Sequence, residues 1–505
     1  MNAPSTVAMI LAGSRVDELN VLTCYRPKSA VPFGGFCRVI DFALSNLMNS
    51  GIEQIAILSQ YRSFSLINHI GTGAAWDMIG RFRGISILPP FKDMDDSTDW
   101  YLGSADAVYK NLDFIRYHHP EEILILSGDH IYNMDYRKMI AYHYEKKADL
   151  TIGCIQVPLE KAHRFGVAAL DDEDGERGGK VLSYWEKPAE PQSCWASLTV
   201  LCFRPEVLYQ ALEENHSQGS YEFGRDIIPM LMAQNRRIYG YKHHGYWGYT
   251  RTIEEYWQSN MDLLGENPKI DMEQWGVRTN LAHRGICDVQ PTLIGDAARV
   301  QNSLIYNGCV VEGEVRNSIL FPGVRVEKGA VVERSVLFFN TLIGENCCLN
   351  TVVADVNSVF GEGVQVGPSL GQATAAVTAR DAGHGRPSVA RARDGERATG
   401  LMPREPGTQA KDGPVSLAPR MEEERLAAAV TARDGLMPRE PGMAAAVTAR
   451  DGLMPREPGM AAAVTVIGWN NQIPARTVIG EGATIEPHLP AEKWKKKVAP
   501  GEVMR

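Results

Sequence analysis

The fold of this chain turns on the reading of Val7–Gly35, VAMILAGSRVDELNVLTCYRPKSAVPFGG. A short apolar run, Val7 to Leu11, breaks at Ala12–Gly13 into a basic and Pro/Gly-rich segment. That pattern predicts a buried strand ending in a turn, which delivers Arg26 and Lys28 to the mouth of a sheet. In open α/β sheets ligands gather just beyond the carboxyl ends of the strands. Backbone N–H groups in such a turn, backed by a helix N-terminus, suit phosphate. Only Gly13 stands where a phosphate loop would carry several glycines, and Val16, Asp17 and Glu18 occupy the turn.

Outward from this stretch, helical and strand patterns alternate. Arg38–Asn49 predicts a helix, because Ile40, Ala43, Leu44, Leu47 and Met48 share one face, and Gly51 is placed to cap it. GIEQIAILSQY predicts a strand and SFSLINHIG a helix, while Ala74–Ser97 reads as an irregular connection. EEILILSGDHIYNMD predicts an apolar strand ending at Ser127–Gly128–Asp129–His130. Tyr136–Lys146, Pro205–Asn215 and Asp226–Gln234 predict helices, DLTIGCIQV, RFGVAALDDEDG and KVLSYWEKP strands, and Tyr246–Leu264 a long closing helix. Such alternation implies an α/β domain with a doubly wound, mostly parallel sheet over residues 1–265. Residues 266–290 then read as a linker.

From about Pro291 apolar residues recur every six, as at Ile294, Val300 and Tyr306, at Val326, Val332 and Phe338, and at Ile467, Ile473, Ile479 and Ile485. That period, with Gly, Asn and Glu at the corners, marks a parallel β-helix over 291–368 and again over 465–490, followed by a tail, 491–505. Between the two pieces GLMPREPG occurs at Gly400–Gly407, Gly435–Gly442 and Gly452–Gly459. The segment 369–464 is rich in Pro, Gly, Ala and Arg without helical or hexad periodicity, which predicts a disordered low-complexity insertion. Loop entropy grows slowly with length, so the solenoid can close around it.

The 505 residues are 44% hydrophobic and 22% charged, an ordinary globular composition for more than one domain. A net charge of -9 excludes a general nucleic-acid binder. Nine scattered cysteines lack CxxC spacing and point to reduced thiols. Neither a signal pattern nor a membrane span is legible, which predicts a cytoplasmic protein without membrane partners.

AVPFGG (Ala30 to Gly35), RVIDFALSN (Arg38 to Asn46), GSADAVYKNLD (Gly103 to Asp113), LSGDHIYNMDY (Leu126 to Tyr136), FGV (Phe165 to Val167), WEKPAEP (Trp185 to Pro191) and YEFGRDIIP occur in this order. With the β-helix tail they resemble the bacterial ADP-glucose pyrophosphorylase family, also called glucose-1-phosphate adenylyltransferase, over about residues 7–370 and again from about 465. The resemblance implies a Rossmann-like nucleotidyltransferase domain, a left-handed β-helix and a homo- or hetero-tetramer. It also implies that ATP and glucose 1-phosphate give ADP-glucose and pyrophosphate, feeding glycogen synthesis. In-line attack on the α-phosphorus needs positioning and charge neutralisation more than covalent help. Asp129 matches the family's metal aspartate, and Mg²⁺ is the hard cation such a carboxylate takes. Lys28 matches the lysine near the nucleotide phosphates and Lys187 the one that grips the sugar phosphate. Gly13 and Arg15 fall in the phosphate loop. Tyr101, Gly103, Ser104 and Asp106 match nucleotide-side positions, and Gly166, Glu186 and Ser197 sugar-side ones.

Several positions depart from the family pattern. Val16 replaces a loop glycine, and Glu18 replaces an arginine that neutralises the departing pyrophosphate. At about 4 Å and an effective dielectric near 20, each unit pair there is worth roughly 4 kcal/mol before screening. Trp247–Gly248–Tyr249–Thr250–Arg251–Thr252 places Tyr249 where the family has a second metal aspartate, and a phenol is a poor Mg²⁺ ligand. Phe36 replaces a lysine associated with activators, and Leu88–Pro89–Pro90–Phe91 lacks the family's glutamine. Arg15 or Arg251 offers compensating charge. Three readings therefore stay open: an enzyme with impaired activity, a catalytically weak regulatory subunit of a mixed tetramer, and a sugar-phosphate sensor.

Overall fold

The strand at Val7–Leu11 is where the sequence places it, as β1 (Thr6–Leu11), and it lies inside a nine-stranded sheet. The computed structural model describes residues 5–13, 16–91, 100–171, 173–282, 289–368 and 463–505. The other strands of the sheet are β2 (Gln54–Leu58), β3 (Gly84–Leu88), β4 (Glu122–Ser127), β5 (Leu150–Gln156), β6 (Gly166–Leu170), β7 (Gly178–Glu186), β8 (Trp195–Phe203) and β9 (Ile238–His243). Their order is 3-2-1-4-8-5-9-7-6. Neighbours β3, β2, β1 and β4 are parallel, as are β5 and β9, while β7 and β8 run against the rest. The sheet is thus mixed: seven of its nine strands run one way, and its eight neighbour pairs divide into four parallel and four antiparallel.

Both faces of β1, β2 and β4 are covered, which explains their apolar runs. In β1, Val7 and Met9 join one core with Ala56, Ile123 and Ile125, while Ala8 and Ile10 join the other with Ile55, Leu124 and Leu126. The helix Ile40–Asn49 packs Ile40, Leu44 and Leu47 into that second core, each withdrawing an aliphatic side chain worth roughly 1.5–3 kcal/mol. Gly51 follows its end at φ +72°, a left-handed stop.

Several expectations are corrected. Ala74–Ser97 is not wholly irregular, since Gly84–Leu88 adds the edge strand β3. Tyr246–Leu264 is not one helix: Trp247–Gly248 pairs with Ile131–Tyr132 in a short ribbon, and the helix is Ile253–Met261. Thr252 explains the late start, because its side chain and Glu255 form a reciprocal capping box. The turn after β1 is backed by a 3₁₀ segment, Asp17–Thr23, rather than by an α-helix N-terminus.

From Leu293 the chain winds as short strands stacked in three parallel sheets of six, seven and seven strands, the arrangement of the left-handed β-helix. Val315, Val332, Leu349 and Val366 stack in register. Asparagines at the corners adopt left-handed φ, among them Asn340, Asn357 and Asn470. Their side chains bond in a ladder, Asn340 to Asn357 at 3.2 Å and Asn357 to Asn470 at 3.0 Å. Ile467, Ile473, Ile479 and Ile485 are buried rungs, whereas Ile294 and Val300 in the first coil are exposed. Residues 491–505 are no free tail: Lys497–Val498 and Val503–Met504 pair with the preceding coil. Val352–Ala354 pairs directly with Thr465–Ile467, so the coil continues across the long interruption. The expected disorder of that interruption lies outside the described residues, apart from Ala463 and Val464, which begin the resumed coil.

One face of the solenoid packs on the first domain. Ile319, Phe321, Val336, Phe338, Val353 and Val466 share a core with Val21, Leu22, Val31, Phe33, Phe42 and Tyr256. Arg26 does not reach the mouth of the sheet. Its Nη2 meets Asp355 Oδ1 at 2.9 Å and Oδ2 at 3.2 Å, both side chains being buried, and its guanidinium lies 5.8 Å from the Trp469 ring. Phe36 stacks on Tyr306 with ring centroids 5.3 Å apart, so it serves this domain contact.

Candidate active site

The carboxyl ends of β1, β2 and β4 deliver the first group of site residues. Gly13 follows β1 so closely against the end of β2 that a Cβ would stand 2.7 Å from Gln60 N. Beyond β4, Ser127 donates to Asp129 in a short hydrogen bond. Asp129 Oδ2 lies 3.3 Å from Lys28 Nζ, and Oδ1 lies 3.3 Å from His130 Nε2. Lys28 is itself buried and also donates to the Tyr249 carbonyl at 2.6 Å. Burial works to raise the Asp129 carboxyl, yet Lys28, His130 and Ser127 outweigh it and hold it at about 2. Burial pushes the Lys28 ammonium below its ordinary value, with Asp129 opposing. Burial likewise brings His130 down to about 4, so it is neutral at neutral pH.

Beside this group opens a cavity of about 510 Å³. Of the positions anticipated from the sequence it is lined by Ser104, Gly166, Glu186, Lys187 and Ser197, and the wall also carries His130, Arg164, Tyr184, Glu222, Arg225 and Tyr249. Gly166 opens β6 on its floor, where a Cβ would stand 1.9 Å from Tyr184 Oη, so a larger residue would have to displace that side chain. Lys187 (φ +48°) and Thr199 (φ +54°) hold left-handed backbone on this wall. Such strain in non-glycine residues concentrates at functional sites. Thr199 sits where β8 shifts register, between Ser197 and Leu201.

The remaining nucleotide-side positions lie outside the cavity wall. Tyr101 Oη donates to Leu88 O at 3.2 Å and accepts from Asn111 at 3.0 Å, while its backbone N meets Gln60 Oε1 at 2.8 Å. Asp106 accepts from Leu102 N at 2.8 Å. Gly103 abuts the Tyr221 carbonyl, and Glu222 receives both Ser104 N and Oγ, closing the start of the helix Ser104–Tyr109. These contacts shape the loop leading into the cavity. Arg15 lies outside the described residues. The sequence reading did not single out Arg164, Glu222 or Arg225, although each lies in or beside a motif it quoted, RFGV and YEFGRD.

At the edge of the cavity three cations face three carboxylates. Lys28 pairs with Asp129, Arg164 with Glu255 through both carboxylate oxygens, and Arg251 with Glu18 at 2.8 Å. The hydrogen bond to Glu255 raises the Arg164 value. Burial works to raise Glu18, and its hydrogen bonds, that from Arg251 included, bring it lower.

Asp129, held ionised, is the residue that could meet a divalent cation beside Lys28, while Tyr249 offers only a phenol at the position where the family pattern has a second metal aspartate. That fits a cation shared with the phosphate oxygens of a substrate, not one caged by protein alone. Among the described residues the one trio of metal-type ligands, Glu122, His143 and Cys202, is buried at the opposite end of β4.

Residues 7–266 match the family model described as nucleotidyl transferase, and residues 292–383 match that of the GlmU-like C-terminal hexapeptide. A glucose-1-phosphate adenylyltransferase of Desulforamulus reducens is 41% identical over 372 residues, covering 73% of this chain and 90% of the relative. One from Desulfitobacterium hafniense is 41% identical over 369 residues, covering 73% and 90%. That of Bacillus cereus strain Q1 is 39% identical over 364 residues, covering 72% and 94%. Nucleotidyltransferases of this kind use a divalent metal. With a nucleotidyltransferase sheet, a hexapeptide solenoid and this degree of identity over most of its length, the chain belongs to the glucose-1-phosphate adenylyltransferase family.

Proposed function

We propose that this chain is a sugar nucleotidyltransferase that joins glucose 1-phosphate to the adenylyl group of ATP, releasing pyrophosphate, at a rate lowered by Tyr249. The observation that supports it best is the cavity floored by Gly166 and walled by Glu186, Lys187 and Ser197, next to the Lys28–Asp129 pair. Lys187 and Arg164 supply cations for the sugar phosphate, while Glu186 and Ser197 offer an acceptor and a hydroxyl for the sugar. Lys28, buried and hydrogen-bonded, is oriented toward the reacting phosphates at little entropic cost. Asp129 would hold Mg²⁺, which neutralises charge on the phosphate oxygens when bound. His130, neutral, adds no cation of its own.

The experiment is calorimetric titration of the whole protein with Mg–ATP and, separately, glucose 1-phosphate, paired with pyrophosphate release. Uptake of both ligands with slow release, raised about tenfold by Tyr249→Asp, supports the reading. Uptake of neither ligand removes it. The balance of three carboxylates against three cations favours a second reading, a regulatory subunit. Silence alone, with stimulation of an active relative from the same cell on mixing, would establish that one.

A further inference from the structure

Glu18 and Tyr249, which depart from the family pattern at positions 231 residues apart, are joined through Arg251. Its Nε donates to Glu18 Oε1 at 2.8 Å and its Nη1 to Tyr249 Oη at 3.0 Å. Its backbone N–H donates to Glu255 Oε2 at 3.0 Å. Two side-chain anchors fix the plane of the guanidinium, while 35% of the side chain stays exposed. The same tyrosine collects the other cations: Lys28 Nζ lies 5.1 Å and the Arg164 guanidinium 5.5 Å from its ring centre. A phenol standing where a metal carboxylate is expected has become a hub for three positive charges. Like charges repel, so such convergence costs energy unless each cation is paired, and each has its own carboxylate. Planar guanidinium groups held in advance suit phosphate oxygens, because the ordering cost has already been met.

We propose that Arg251 receives the phosphate chain of the nucleotide, with Glu18 as the residue that positions it. The positive charge missing from the loop at Glu18 has thus been moved across the mouth to residue 251, and Glu18 orients what it no longer supplies. This rests on the sugar nucleotidyltransferase reading. The rival is that Arg251 only neutralises Glu18.

The two are separated by calorimetric titration of the full chain with inorganic pyrophosphate and with Mg–ATP. Arg251→Gln should weaken both ligands about tenfold or more, as loss of a charged hydrogen bond requires, and leave glucose 1-phosphate binding unchanged. Arg251→Lys should recover part of the loss. The deciding variant is Glu18→Gln/Arg251→Gln, which removes the pair together. Persistent weakness in the double variant supports the proposal. A return to within about twofold of the parent overturns it, because neutralisation was then the whole role, and so does an unchanged affinity in Arg251→Gln. A parent protein that takes up neither Mg–ATP nor pyrophosphate overturns the nucleotidyltransferase reading as well. Unaltered glucose 1-phosphate binding in the variants reports an intact fold.

Discussion

Removing Asp355 should loosen the solenoid from the nucleotidyltransferase domain, and the size of the effect follows from its contact with Arg26. The carboxylate lies 2.9 Å from the guanidinium, and the two side chains are 1% and 6% exposed. At an effective dielectric near 20 that separation corresponds to roughly 6 kcal/mol of gross attraction, most of it offset by the desolvation of both ions. Asp355→Ala leaves the offset standing and removes the attraction. Arg26 Nη1 already lacks a hydrogen-bond partner, so the stranded guanidinium finds little compensation. The expected loss is about 3–5 kcal/mol. Urea unfolding followed by tryptophan fluorescence is the assay, since Trp469 lies against Arg26 and reports its release. Arg26→Met/Asp355→Leu, which removes both charges, should recover most of the loss and give an interaction energy of about 2 kcal/mol or more. A cost below about 1 kcal/mol for Asp355→Ala, or a double variant no better than the single one, would refute the reasoning.

Acidification probes the mouth of the sheet. Asp129 at about 2 lies below its ordinary value, so its contribution of about 2 kcal/mol is complete above pH ~4 and is lost as the pH falls through 2. The stability gap between the parent and Lys28→Met should therefore shrink from pH 5 to pH 2; a constant gap in urea midpoints would contradict this. His130 at about 4 lies below the ordinary histidine value, so stability should climb from pH 4 to about 6.5, and its ring resonances should titrate near 4. Titration near 6.5 by NMR would sink that expectation. Gly166→Ala drives a methyl into Tyr184 Oη and should weaken glucose 1-phosphate binding about tenfold or more, with Tyr184→Phe restoring part. Unchanged affinity would show that the floor yields.

The parts legible in the sequence are those fixed by local patterning. β1 and β4 are apolar on both faces because both faces are covered, and Ile467, Ile473, Ile479 and Ile485 keep strict period because each coil repeats the last. β3 escaped notice because GISIL is a half-buried edge strand of five residues. The Trp247–Gly248 ribbon is two residues long and exists only through its partner. Arg26 was read with Lys28 as one basic segment, although Asp355, far along the chain, draws it away. Glu18 and Tyr249 were each visible as departures from the family pattern, and Arg251 as spare charge. Their bonding is tertiary, and periodicity carries no trace of it. Arg164 and Arg225 stand within the motifs RFGV and YEFGRD, but which side chains of a motif face the cavity is set by the strands and turns that carry it.

The asparagine ladder has an evolutionary corollary. Asn357 grips Asn470 as it grips Asn340, and Thr465 N–H donates to Thr351 O, while Asn350 reaches the Pro368 carbonyl. Both ends of the interruption are therefore tethered to adjoining residues, 350 and 351, at one seam of the coil. These bonds carry the register of the coil across the seam, so the number of GLMPREPG copies between residues 368 and 465 can change while each bond keeps its partner. The same seam is a natural port for grafting foreign sequence, or for excising what has gathered there.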